Sequence, residues 1–76
     1  MNAGTRVKIK QLGKGWNRFY AQLLSGKMGE VERSSEHHGY FEEPMALVKF
    51  DPPLVNDEGR LVTGFWFQCD ELEQID

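Results

Sequence analysis

The feature that most constrains this chain is a pair of apolar runs in its second half, Met45-Ala46-Leu47-Val48-Lys49-Phe50 and Leu61 to Cys69. The first is short, nearly continuous and bounded by breakers, which predicts a buried strand. Asp51-Pro52-Pro53 follows it and is expected to stop it, because proline cannot donate to a ladder. Asn56-Asp57-Glu58-Gly59 supplies turn chemistry that returns the chain as the second strand. That strand is apolar on both faces, with Leu61, Phe65, Phe67 and Cys69 on one and Val62 and Trp66 on the other. A two-faced strand needs cover on two sides. Asp70-Glu71-Leu72 then reads as one tight helical turn before a short terminal strand ending at Ile75.

The first half completes a sheet. In Gly4 to Lys10 polar and apolar residues alternate, so Val7 and Ile9 share one face of a half-buried strand whose other face is basic. Gly13-Lys14-Gly15 breaks it. The period then changes, because Trp16, Phe19, Tyr20, Leu23 and Leu24 fall at the spacing of an amphipathic helical stripe. Asn17 is placed to cap that helix and Ser25-Gly26 to end it; a long structured loop over residues 16–25 is the alternative. Lys27 to Arg33 is a further strand, with Gly29 expected at a bend or bulge. Ser34 to Pro44 reads as a polar loop.

Four or five short strands with regular turn signals in 76 residues predict an all-β fold. The expected form is one small antiparallel barrel spanning residues 1–76, since closing the sheet removes exposed edges. A chain this short buries only roughly 60% of the surface it exposes unfolded, so association would help a thin core. One cysteine excludes an internal disulfide and fits a reducing compartment. No apolar run reaches a membrane-span length of about 18 residues, and no signal-peptide core is evident. The expected setting is cytoplasmic.

The net charge of −3 conceals an asymmetry, because residues 1–33 sum to +5 and residues 34–76 to −8. One reading is that strands of the two halves pair and set opposite charges side by side. The other is a nucleic-acid surface on the basic third, built from Lys8, Lys10, Lys14, Arg18 and Lys27.

Several strings carry a family resemblance. Gly4-Thr5-Arg6-Val7-Lys8-Ile9, Arg18-Phe19 and Leu24 through Arg33 resemble the opening of the SH3-like barrel in the nitrile hydratase β subunit. The likeness continues through His38-Gly39, Val48-Lys49-Phe50-Asp51, Trp66 and Glu71-Leu72-Glu73. Phe67-Gln68-Cys69-Asp70-Glu71-Leu72-Glu73 is similar to the small barrel protein of the photosystem I reaction centre. The resemblance implies an SH3-like barrel of the electron-transport-accessory class, whose members are mostly accessory barrels docked on larger proteins. Nitrile hydration does not carry over, because the metal there sits in a cysteine claw on the other subunit and the β subunit also has a large helical region. The type II dihydrofolate reductases have a comparable fold and length, but their Val-Gln-Ile-Tyr motif is replaced here by Gly64-Phe65-Trp66-Phe67-Gln68. Leu24 to Val31 also resembles the KOW element of ribosomal and transcription-factor barrels, where the shared glycine pair equally serves strand bending.

No catalytic constellation stands out. His37 and His38, with Glu36, Glu42 and Glu43 nearby, face opposite ways in an extended segment, so one metal could rarely take both. Cys69 has no CxxC partner and reads as a small buried hydrophobe. Glu42-Glu43 and Asp70-Glu71 are sequence neighbours rather than a separated acid and base. Gly13-Lys14-Gly15 lacks the spacing of a phosphate loop. No metal or cofactor is expected. The nine aromatics are the more informative group. Trp16, Phe19, Tyr20, Tyr40, Phe41 and Trp66 either fold over the open end of the barrel or form a patch for a protein partner or a second copy. The expected function is a non-enzymatic accessory or interaction module; a KOW-like nucleic-acid module and a small oligomeric enzyme with a shared central pocket are the alternatives.

Overall fold

The computed structural model describes residues 2–34 and 44–75. Strand β1 (Arg6–Ile9) alternates as the pattern predicts, with Val7 and Ile9 fully buried. Helix α1 (Arg18–Leu24) is shorter than the predicted stripe, and Trp16 precedes it. Asn17 caps it as expected, its Oδ1 accepting from the backbone N–H of Phe19 (2.9 Å) and of Tyr20 (3.4 Å). Ser25 ends it, and Gly26 follows at φ +80°, a conformation that favours glycine.

Strand β2 (Met28–Ser34) pairs antiparallel with β1 and with β3 (Met45–Val55). The irregularity expected at Gly29 lies instead at Glu32, since Val31 faces Val48 while Arg33 already faces Leu47. Gly29 serves a different need. A Cβ there would sit 2.5 Å from Val48 Cγ1 and 2.7 Å from the Lys49 carbonyl oxygen, so glycine permits the close approach of β3.

Asp51-Pro52-Pro53 does not end β3, contrary to expectation. The strand runs on to Val55 with a cis Asp51–Pro52 bond. It tolerates the prolines because they fall where pairing with β4 (Leu61–Gln68) is interrupted, between Lys49↔Gly64 and Leu54↔Val62. No ladder donor is needed in that gap. Leu61, expected on one apolar face with Phe65, Phe67 and Cys69, is 66% exposed. The β3–β4 hairpin projects past β2, which pairs with β3 only from Ala46 to Lys49, so among the described residues no third strand pairs with its tip.

A single 3₁₀ turn (Cys69–Glu71), one residue earlier than expected, leads into the expected short strand, β5 (Leu72–Gln74), which pairs with β1. The result is a five-stranded antiparallel sheet ordered β4-β3-β2-β1-β5, with one short helix after the first strand. The sheet is open. Its outer strands, β4 and β5, do not pair with each other, so the expected closure into a barrel is not made by hydrogen bonds. Only one 3₁₀ turn separates those two strands in sequence, and three-residue β5 is committed to β1. Residues of the segment after β1 pack onto β4 instead. The core unites Val7, Ile9, Leu12, Leu24, Val31, Ala46, Val48, Phe50, Phe67 and Leu72, drawn from every strand and the helix.

Candidate functional site

Alternation along β4 sends Phe65 and Phe67 to the core face and Trp66 to the other. On the core face, Trp16 stacks on Phe67 at 5.4 Å between ring centroids and meets Phe65 at 5.5 Å. Tyr20 reaches Phe65 at 5.4 Å, and Phe50 meets Phe67 edge-on. The segment after β1 thus buries part of its own aromatic stripe against β4. Trp16 is anchored at its polar end too, its indole N–H donating to Glu71 Oε2. The other Glu71 carboxylate oxygen accepts from the Gln68 backbone N–H at 2.8 Å, and the Glu71 carbonyl oxygen accepts from Lys10 N–H at 2.9 Å. One glutamate therefore joins the 3₁₀ turn, the end of β1 and the aromatic segment.

On the outer face, Trp66 pairs across the ladder with Leu47, and the Arg33 guanidinium lies 5.8 Å from its ring centroid. Although they pack on opposite faces of β4, the two tryptophans border one open groove of about 580 Å³. Gly13, Lys14 and Gly15 form one wall, Met45 and Gln68 come from the base of the hairpin, and Glu71 completes the lining. Among the described residues the groove is lined by two indoles, a thioether, an amide, the Lys14 ammonium and the Glu71 carboxylate.

The six aromatics singled out in the sequence are distributed as follows. Trp16 and Tyr20 are half-buried within the chain, Trp66 is half-buried across the strand, and Phe19 is 54% exposed. Tyr40 and Phe41 lie outside the described residues, as do His37, His38, Glu36, Glu42 and Glu43. Of the basic set, Lys14 lines the tryptophan groove, whereas Lys27 lines a separate depression with Arg6, Glu30, Lys49 and Asp51. Lys8 sits on β1 opposite Glu73, and Lys10 Nζ donates to the Asp70 carbonyl oxygen at 3.0 Å. Arg18 is exposed at the start of α1. Of this set only Lys8 has a cross-strand acid, Glu73; the other such pairs, Arg6↔Glu30 and Glu30↔Lys49, involve cations outside it. Cys69 is partly buried against the core.

Sequence reasoning placed Glu71 in a tight turn and an acidic pair but in no site, gave Met45 and Gln68 no role in a site, and treated Gly13 and Gly15 as breakers. The Gln68-x-x-Glu71 spacing is the one local signal that marks Glu71, as a residue closing a turn on itself. Among the described residues, no three His, Cys, Asp or Glu side chains form a group able to hold a metal ion, and no helix is long and apolar enough to cross a membrane. Comparison with protein-family profiles, with characterised proteins and with solved structures found no match to this chain.

Proposed function

We propose that this chain is a non-enzymatic accessory module of the SH3-like kind, and that its groove between Trp16 and Trp66 takes a polypeptide, either a protein partner or a second copy. The observation that carries the reading is the groove itself, where aromatic and thioether surface meets a few polar groups. Such surface favours interface anchoring, because large rigid rings contribute contact area at little entropic cost. The resemblance of the β1, β2 and C-terminal strings to accessory barrels supports it, as does the antiparallel five-stranded order. The scatter of the candidate cations, with Lys14 and Lys27 in separate depressions and Lys8 opposite Glu73, favours this reading over a nucleic-acid one, since phosphate binding draws on a clustered positive footprint.

The test uses Gly15→Phe, which fills the groove where a Cβ meets no atom within 4 Å, so the fold is expected to survive. Immobilised wild-type chain should retain a polypeptide from a source-cell extract, and the Gly15→Phe chain should lose it. Reconstitution from purified components should reproduce the difference. Equal retention by both chains would overturn the reading. So would nucleic-acid binding that falls steeply with salt and ignores Gly15→Phe.

A further inference from the structure

The two edges of the open sheet are guarded differently. β5 is three residues long and carries Glu73 at its centre, a short charged edge that discourages further pairing. β4, at the other edge, runs for eight residues without a charge or a proline. An uncharged strand of that length at an open edge is a template for another strand.

The two ends of β4 differ in what they leave open. At the groove end the Gln68 N–H is taken by Glu71 Oε1 at 2.8 Å. At the hairpin end the Asn56 N–H donates to the Arg60 carbonyl oxygen at 2.9 Å, and Val62 faces Leu54. Hydrogen-bonding direction alternates along a strand, so Arg60 and Val62 turn toward β3 while Leu61 turns its N–H and C=O away from it. Thr63 is the next residue to turn outward, and it has no Cα partner in β3, because it stands opposite the interruption at Pro52 and Pro53. Leu61 is 66% exposed and Thr63 is exposed with it. Among the described residues no strand lies beyond them.

We infer that residues 61–64 of one copy pair antiparallel with the same residues of a second copy, about a two-fold axis through Val62, joining the two sheets into one. Leu61 exchanges backbone hydrogen bonds with Thr63 of the second copy, and Thr63 with its Leu61. The segment is complementary to itself. The facing pairs are Leu61 with Thr63 and Val62 with Val62, so no like charges meet. The nearest charge, Arg60, falls opposite Gly64, which has no side chain to crowd it. Such an isologous contact closes at two copies. Leu61 and Thr63 do not line the tryptophan groove, so the contact is independent of it.

Sedimentation velocity from about 10 µM to about 1 mM should show a monomer–dimer equilibrium with no larger species, in the range where a small interface binds. Thr63→Pro removes an outward N–H without taking one from the β3 ladder. Leu61→Lys sets a lysine on the edge at a side chain already exposed, and so reads the contact without any backbone change. Each should weaken dimerisation about tenfold or more, with circular dichroism unchanged. Register is read by cysteines in a Cys69→Ser background. A Leu61→Cys chain mixed with a Thr63→Cys chain should crosslink on mild oxidation, because hydrogen-bonded neighbours hold their Cα atoms about 5.5 Å apart, whereas either chain alone sets its cysteines too far apart. Gly15→Phe should leave the dimer intact. A chain monomeric throughout overturns the inference, as does a dimer indifferent to both edge variants or a mixture that crosslinks no more than its components. A dimer abolished by Gly15→Phe would overturn it too, while placing the contact in the groove and supporting the earlier reading.

Discussion

Trp16 and Glu71, fifty-five residues apart, are joined by a hydrogen bond from the indole N–H to the carboxylate. The pair closes one side of the fold without any strand pairing. Glu71 is held from its own side by the Gln68 and Lys10 backbone N–H groups, so the tryptophan docks on a preset acceptor. The aromatic segment is thereby fixed over β4, and the groove acquires its Trp16 wall.

Replacing Glu71 with alanine removes an acceptor shared by Trp16 and Gln68. Hydrogen bonds to a charged group contribute about 1.5–3 kcal/mol, and Glu71→Ala should cost roughly that much in urea unfolding. In a Trp66→Phe background the remaining tryptophan emission should shift to the red. Glu71→Gln keeps an acceptor and should lose less. Equal stability of all three chains would show that the bond is incidental.

Gly29 and Gly13 make opposite predictions. A methyl group at Gly29 would collide with Val48 and, less forgivingly, with the Lys49 backbone carbonyl. Gly29→Ala should therefore destabilise by about 1–3 kcal/mol through forced strand separation. Gly13→Ala meets open space and should be neutral or stabilising by up to about 1 kcal/mol, because it restricts the unfolded chain. Urea midpoints of the two variants check both signs.

Phe67 is fully buried between Trp16, Phe65 and Phe50. Phe67→Ala should cost about 3–5 kcal/mol, comparable with the whole stability of a small domain. Loss of the cooperative transition or a large fall in its midpoint is expected. Phe67→Leu, which keeps most of the volume, should retain it.

Asn17 caps α1 through two backbone donors, Phe19 N–H and Tyr20 N–H. Asn17→Ala should cost about 1 kcal/mol, and Asn17→Asp should retain most of that. Amide hydrogen exchange should quicken at Phe19, Tyr20 and Ala21 and hardly change in β3. Uniform acceleration over the whole chain would contradict a local capping role.

Much of this was legible because it is local. Val7 and Ile9 alternate on a strand, Asn17 and Gly26 bracket the helix, and Asn56 to Gly59 turn the hairpin; each depends on neighbours within a few residues. The prolines misled for the same reason. Their missing N–H matters only where a partner strand needs it, and whether β4 lies opposite Pro52 is not a local property. Gly29 was marked as special, but its reason lies in Val48 and Lys49, a strand away in the sheet and far along the chain.

By itself the sequence determined the order of strands and helix, the capping of α1, the buried face of β1 and the opposite facing of Phe65 and Phe67 to Trp66 on β4, since period and turn chemistry act over short range. Only the tertiary structure decided that the sheet stays open, that Trp16 crosses to Glu71, and that Trp16 and Trp66 border one groove from opposite faces of β4. Those outcomes depend on register and on which distant surfaces meet. The physical reason is that a side chain's face is set by its own strand, whereas its neighbours are set by all the others.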